Sequence, residues 1–161
     1  MLSFLRAKRS KGFTLIELLV VIGVLTILLA IVLVAINPAR QFSQANDTQR
    51  RSDVNAILNA IHQYGADNKG TLPTGINTTD KLITSTAGAG NVDLCTALVP
   101  KYLADLPIDP TTGTETPDNS VCTTALATYD SGYTVSKNAD NRVTVTATPE
   151  ITPPTTITVT R

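Results

Sequence analysis

The sequence predicts an α+β protein in which a long, kinked N-terminal helix packs on a small antiparallel β-sheet head. Three observations support this fold class. An apolar run of 24 residues extends from Phe13 to Ile36, an amphipathic segment follows it, and short stretches near the C-terminus alternate apolar and polar residues. At a rise of about 1.5 Å per residue, the apolar run is long enough to cross the roughly 30 Å hydrocarbon core of a bilayer as a helix.

Charge is distributed unevenly along a chain whose net charge is zero. The first 11 positions contain no acidic residue and hold four of the 13 basic ones, Arg6, Lys8, Arg9 and Lys11. The positive-inside rule therefore predicts a cytoplasmic N-terminus and export of the C-terminal part. That part is mildly acidic, which argues against a nucleic-acid partner.

An ordinary secretory signal does not explain the N-terminus. Such a signal has an apolar region of about 7–15 residues and a small-residue cleavage site. Here the run is longer and leads into Asn37-Pro38 without a clear site of that kind. A simple membrane anchor is the alternative that hydropathy alone leaves open.

Glu17 is the unusual residue of this run, because it is the only ionisable one. A carboxylate in lipid costs about 2.5–3.5 kcal/mol even on insertion scales. We therefore expect Glu17 to have a partner that offsets this cost.

Residues 11–21, Lys-Gly-Phe-Thr-Leu-Ile-Glu-Leu-Leu-Val-Val, resemble the type III signal of type IV pilins and type II secretion pseudopilins. The resemblance implies that a prepilin peptidase cuts between Gly12 and Phe13 on the cytoplasmic side. It also implies N-methylation of Phe13 and a role for Glu17 in filament assembly.

The chemistry of this spacing can be argued from the residues themselves. Cleavage after Gly12 would create an amine at Phe13, and Glu17 lies one turn away at i+4. The two opposite charges would offset part of each other's desolvation cost. Pairing within one chain suits a monomer in the membrane, and pairing between chains would set the axial register of a filament. The alternative is that Glu17 only extends to the cytoplasmic face.

The resemblance further implies two successive locations: a single pass through the bacterial inner membrane, then a helical, extracytoplasmic filament of identical subunits. The implied partners are prepilin peptidase, the inner-membrane assembly machinery and minor pilins or pseudopilins. Pilus and pseudopilus both stay open: residues 106–110 and the closing hairpin favour a pseudopilin, whereas the Thr-rich tail and the two cysteines favour a displayed pilin. Adhesion, DNA uptake, motility and secretion stay open as well. The competing hypothesis is a membrane-anchored extracytoplasmic binding domain.

The chain divides by composition into five segments. The resemblance implies that residues 1–12, which are basic, form a cleaved leader and that 13–36 form the membrane-spanning and filament-core half of the helix. Residues 37–70 are its amphipathic half, 71–148 the globular head, and 149–161 a Thr/Pro-rich tail.

The amphipathic half begins at a predicted kink or break, since proline disfavours helical geometry in the residue before it. Two independent helices with a hinge at Pro38 are the alternative. A helix over 39–65 is predicted by an apolar stripe at helical spacing, and Gly70 is its expected C′ residue. Asp47 is expected to interact at the helix surface with Arg50 at i+3 and Arg51 at i+4 and so to stabilise the helix modestly. The stripe consists of Val54, Ile57, Leu58, Ile61 and Tyr64.

The head is predicted to contain one short helix and several strands. An exposed loop is expected over Thr84–Gly90, a short helix over Val92–Leu98 and a structured loop over Lys101–Gly113, which is similar to a region of major pseudopilins. A hairpin turn is predicted at 138–141. The strand-like runs are Ala125–Tyr129, Gly132–Lys137 and Arg142–Thr148, with a possible edge strand or mobile tail at 157–159.

Cys95 and Cys122 are the only two cysteines, and both lie in the part predicted to be exported. An oxidising compartment favours a disulfide between them over two free thiols.

No motif for catalysis or a cofactor is present, so we expect a protein that is not an enzyme. The one histidine, His62, lies on a predicted helix beside Ile61 and is expected to be structural. The resemblance to major pseudopilins, which bind calcium in this general region, implies calcium as a cofactor, and loop carboxylates suit it. Solvated loop aspartates without a metal are the alternative. No EF-hand spacing is found, and no ligands are assigned among Asp105, Asp109, Asp118, Asp130 and Asp140.

Overall fold

The computed structural model describes residues 12–116, 122, 128–153 and 156–161. The chain forms two compact units, one ending at Gln41 and one from Phe42 to Arg161. The α+β class is confirmed, with two long helices followed by a small sheet. In chain order the elements are α1 (Leu15–Ile36), α2 (Pro38–Asp67), β1 (Lys81–Thr84), β2 (Asn91–Val92), α3 (Cys95–Leu98), β3 (Thr114–Thr116), β4 (Thr128–Lys137), β5 (Val143–Ala147) and β6 (Ile157–Thr160).

The predicted interruption between the two helices is present and lies at Asn37. This residue adopts left-handed backbone angles, with φ 47° and ψ 75°. Its carbonyl accepts the N–H of Arg40 at 3.1 Å, and its side-chain oxygen accepts the same N–H at 3.4 Å. Asn37 therefore ends α1 and caps the start of α2, and Pro38 provides a first position that needs no N–H donor.

The apolar stripe of α2 is buried, as its spacing predicts. Val54, Ile57, Leu58 and Ile61 are at most 1% exposed and belong to the core cluster of the head. At the C-terminal end, Lys69 and Gly70 both have positive φ, and the Gly70 N–H donates to the Gly65 carbonyl at 2.7 Å. The prediction of Gly70 as the C′ residue is wrong by one position, since Lys69 is the C′ residue and Gly70 follows it.

The strands form one sheet of order β2-β1-β4-β5-β6, and β3 pairs with β4 off this path. All pairings are antiparallel except β1 with β2, so the sheet is mixed where the sequence predicts an antiparallel one. The inward face of β4 carries Tyr129, Ser131, Tyr133 and Val135, which are all buried. These side chains complete the core that the stripe of α2 begins.

The predicted hairpin is confirmed, since β4 and β5 pair antiparallel and the turn closes with the Asn138 N–H on the Arg142 carbonyl at 2.9 Å. The runs predicted as two strands before it are parts of one strand, β4, which continues through Gly132. Residues 125–127 of the first run lie outside the described residues. The edge-strand alternative for 157–159 is the one observed, because β6 pairs with β5.

Other short elements differ from the prediction. Thr84 is buried in β1 and is not part of the exposed loop, which covers residues 86–90. Val92 lies in β2, so the predicted short helix is reduced to α3. Strands β1, β2 and β3 have four, two and three residues, too few to show an alternating pattern.

Gly132 bends β4 where a loop packs against it. Its φ is +75°, and the adjacent Ser131 carbonyl accepts the Asp109 N–H at 2.9 Å. A Cβ on Gly132 would lie 2.7 Å from the Asp109 Cβ and 2.8 Å from the Thr112 hydroxyl oxygen. The loop can therefore approach the strand only because no side chain is present there.

We expect Gly132→Ala to lower the free energy of unfolding by about 2–3 kcal/mol, because it combines a positive φ with a clash against the Cβ of Asp109 and the hydroxyl of Thr112. Urea denaturation measures this change. Gly88→Ala is the matched control, since a Cβ at Gly88 meets nothing within 4 Å. Equal stability of the two variants would contradict the packing argument.

Candidate functional site

The N-terminal end of α1 places Glu17 in a capping box. Thr14 is the N-cap residue, and its hydroxyl accepts the Glu17 N–H at 3.3 Å. In return, the Glu17 carboxylate accepts the Thr14 N–H and the Thr14 hydroxyl, each at 2.8 Å. The carboxylate therefore satisfies donors that the first turn of a helix leaves unpaired.

The sequence predicts a partner for Glu17, and the structure places Thr14 in that role within this chain. Phe13 is 89% exposed and is still joined to Gly12, so its nitrogen is a peptide N–H and not the amine that cleavage would create. The S/T-x-x-E pattern of Thr14 to Glu17 is a signal that the sequence reasoning missed.

The rest of α1 is an exposed apolar surface. None of its 22 residues is buried, and it is long and apolar enough to cross a membrane. Thr26 is compatible with such a surface, because its hydroxyl donates to the Ile22 carbonyl at 2.7 Å and is therefore satisfied within the helix. The helix thus has one ionisable group, Glu17, at its N-terminal end.

In the head, Cys95 and Cys122 form a disulfide with a Cα–Cα distance of 5.2 Å and a sequence separation of 27. Cys95 is the first residue of α3, and its N–H donates to the Asp93 carboxylate at 2.8 Å. The same carboxylate oxygen accepts the Tyr129 hydroxyl at 2.9 Å, which connects this region to β4.

We expect the double variant Cys95→Ala, Cys122→Ala to lose about 3.5 kcal/mol of head stability, the chain-entropy value for a loop of this length. For a domain of this size the Tm should fall by about 10 °C or more. Thermal unfolding followed by circular dichroism tests this. An unchanged Tm would contradict a stabilising role for the bridge.

Arg50 is the principal buried charge of the head, although the sequence predicted only surface support between it and Asp47. That prediction is wrong for Arg50, whose side chain is 1% exposed. Its guanidinium contacts three carboxylates: Asp109 at 2.6 Å, Asp47 at 2.8 Å and Glu150 at 3.1 Å. We call these four residues the Arg50 junction. Arg51, the other predicted partner, is exposed.

The junction shifts the ionisation of its carboxyl groups. Burial alone raises the pKa of Asp109, but Arg50 and the N–H groups of Thr112 and Thr111 hold this pKa well below its ordinary value. Burial also raises the pKa of Asp47, but the N–H groups of Glu150 and Ile151, together with Arg50, lower it below its ordinary value. Both groups therefore favour the folded state when ionised.

We expect acid to destabilise the head. Carboxyl groups with a lowered folded-state pKa stabilise above their unfolded pKa of about 4, and this contribution is lost as the pH falls further. For Asp109 the loss between pH 7 and pH 3 should be about 1 kcal/mol, because pH 3 lies only about one unit below the unfolded pKa. Asp53 acts in the opposite direction, since burial raises its pKa. Urea unfolding at pH 7 and pH 3 measures the combined effect of these groups on the free energy of unfolding. Asp109→Asn should remove much of the difference in stability between the two pH values.

The acidic residues considered for calcium do not form a metal site in the described part of the chain, where no group of three or more suitable ligands occurs. Asp109 is bound by Arg50, Asp105 accepts the Leu106 N–H, and Asp130 accepts the Gly132 N–H. Asp140 is exposed, and Asp118 lies outside the described residues.

His62 lies in α2 and is half-buried. Its Nε2 atom is buried, and no hydrogen-bond partner for it occurs among the described residues.

A comparison with protein families matches residues 7–33 to the family described as the prokaryotic N-terminal methylation motif. This motif is the signature of type IV pilin and pseudopilin prepilins, a group of structural subunits and not of enzymes. The motif and the exposed apolar helix fit a membrane-anchored prepilin. No curated protein and no solved structure gives a significant match to the chain.

Proposed function

We propose, from the N-terminal methylation motif that the chain carries, that it is a structural subunit of a type IV pilus or of a type II secretion pseudopilus and has no catalytic activity of its own. The observation that supports this most strongly is the match over residues 7–33, which includes Gly12, Phe13 and Glu17. Prepilin peptidase would cut between Gly12 and Phe13, and Phe13 would become the methylated N-terminus.

The accessibility of the cleavage site supports this proposal. Gly12 and Phe13 are exposed and precede the first residue of α1, so the scissile bond is not part of a helix. A protease needs an extended, reachable segment, and this position offers one.

The exposed surface of α1 supports the two successive locations. An apolar helix with no buried residue requires either lipid or other helices around it. In the membrane, Thr14 would satisfy the Glu17 carboxylate within the same chain. In the filament, the carboxylate would bind the Phe13 amine of a neighbouring subunit and set its register, while copies of α1 replace the lipid.

The direct test is expression of the full chain with and without a prepilin peptidase, followed by immunoblotting of membrane fractions. We expect a shorter species only when the peptidase is present, with the head accessible from the extracytoplasmic side. An unchanged chain in both samples would contradict the proposal and favour the membrane-anchored binding domain.

Electron microscopy of cells with and without this protein separates the two kinds of filament. Long surface fibres that disappear with the protein indicate a pilus subunit. Loss of secretion without loss of surface fibres indicates a pseudopilus subunit.

A further inference from the structure

The Arg50 junction connects three parts of the head that are distant in sequence. Asp47 lies on α2 beside Arg50, Asp109 lies in the loop before β3, and Glu150 follows β5. The guanidinium binds Asp109 with two nitrogens, Nε at 2.6 Å and Nη2 at 3.0 Å, and this paired geometry suits arginine in particular.

The carboxylates of the junction in turn hold backbone groups. Asp47 accepts the N–H of Glu150 at 2.8 Å and the N–H of Ile151 at 3.1 Å. Asp109 accepts the N–H groups of Thr111 and Thr112, both at 2.9 Å. Arg50 therefore orients the acceptors that fix two otherwise irregular segments.

The three carboxylates of the junction need a positively charged partner. Three carboxylates brought together from loops and a helix repel one another, and buried charges are stable only when paired. A divalent cation can neutralise carboxylates in other proteins by taking their oxygens as ligands, but no group of three or more carboxylates in the described part of this chain is arranged to hold one. Here the guanidinium already binds both oxygens of Asp109 and one oxygen each of Asp47 and Glu150.

We propose that Arg50 is the resident cation of these three carboxylates, and that it fixes the 109–113 loop and residues 149–151 on α2 without a bound divalent cation. The head then keeps both segments docked whatever the concentration of divalent cations outside the cell. This inference does not depend on whether the chain assembles into filaments.

Residues 157–161 are held in place by contacts that do not involve Arg50, so the loss of Arg50 should affect only the segments that the junction holds. Strand β6 pairs with β5, and the Arg161 guanidinium donates to the Asn59 side chain at 2.9 Å. Loss of Arg50 should therefore free residues 149–151 and 109–113, while β6 stays paired.

Hydrogen exchange of the full chain in detergent micelles tests the proposal without any variant. Amide exchange at Thr111, Thr112, Glu150 and Ile151 is measured by mass spectrometry in EDTA and in millimolar calcium chloride. We expect the same protection in both solutions. Protection that is lost in EDTA and restored by calcium would overturn the proposal, because a metal ion would then be the cation of the site.

Arg50→Gln tests the role of the guanidinium, and Arg51→Gln is the matched control on an exposed neighbouring arginine. We expect at least tenfold faster exchange of the four amides in Arg50→Gln, little change in β6, and no change in Arg51→Gln. Equal protection in the two variants would overturn the proposal.

Glu150→Ala is a milder variant that keeps the test valid if Arg50→Gln fails to fold, since the Glu150 side chain is 29% exposed. It removes one carboxylate from the guanidinium and leaves Asp109 bound. We expect slow exchange at all four amides, because Arg50 still holds Asp47 and Asp109, which accept these N–H groups. Loss of protection at Thr111 and Thr112 would contradict the proposal, because it would show that Arg50 does not hold Asp109 without Glu150.

Discussion

Replacing Glu17 with alanine is expected to leave membrane insertion and leader cleavage unchanged and to reduce filament yield at least tenfold. A tenfold change in an equilibrium corresponds to about 1.4 kcal/mol. A single charge pair between subunits can exceed this value in a low-dielectric filament core. Insertion should persist, because the substitution removes the one ionisable group of the apolar run.

The capping box makes the expected phenotype more specific. Without its carboxylate, the first turn of α1 loses the bonds to the N–H and the hydroxyl of Thr14. This costs about 0.5–2 kcal/mol of local helix stability, which cannot unfold a span of 22 residues. A loss of assembly would therefore come from the missing partner of the neighbouring amine.

Two variants serve as controls for Glu17→Ala. Glu17→Gln keeps a hydrogen-bond acceptor for Thr14 without the charge, so we expect it to assemble as poorly as the alanine variant. Thr26→Val removes a polar group whose hydroxyl bonds only within α1, and it should assemble normally. Filament yield is measured by shearing and immunoblotting. Normal yield from Glu17→Ala would show that the carboxylate has no role in register.

Replacing Gly12 with valine is expected to abolish cleavage, leaving the full-length chain in the membrane. Folding should be unaffected, because a Cβ at Gly12 meets nothing within 4 Å and no positive φ is required there. The effect would then arise in the peptidase, for which the resemblance implies a glycine before the scissile bond.

Gly23→Ala is the matched control for Gly12→Val. Gly23 lies within α1, and a Cβ there also meets nothing within 4 Å. Alanine is moreover a better helix former than glycine by about 1 kcal/mol. We expect normal cleavage of this variant on an immunoblot. Cleavage of Gly12→Val at the rate of Gly23→Ala would contradict the assigned scissile bond.

The two long helices could be predicted because each repeats one pattern over many turns. The span of α1 follows from a run of 24 mostly apolar residues, and the buried face of α2 follows from the spacing of Val54, Ile57, Leu58 and Ile61. The turn between β4 and β5 could be predicted equally well, because Asn138 and Asn141 favour turn conformations. These signals are local and do not depend on distant residues.

The Arg50 junction could not be predicted, because its decisive contact joins residues 59 positions apart. In the sequence, Asp47 and Arg50 at i and i+3 look like an exposed helix pair. Only the fold shows that Asp109 reaches the same guanidinium and that Arg50 is buried. Strands β2 and β3 could not be predicted either, because two or three residues are too few to show the alternation of apolar and polar positions.

The capping box of Thr14 and Glu17 is a third case, because its S/T-x-x-E pattern is local and visible in the sequence. The cost of the Glu17 carboxylate indicates the amine of Phe13 as its partner. The structure adds a partner three residues away in the same chain. Both partners fit the proposed function, one before assembly and one after it.

Mass spectrometry of the mature N-terminus tests the central claim most directly. The chain is purified from membranes of cells that contain a prepilin peptidase, and its N-terminal peptide is sequenced. The account predicts a peptide that begins at Phe13 and carries one added methyl group on its amine. A peptide that retains Met1, or one that begins at any residue other than Phe13, would contradict it.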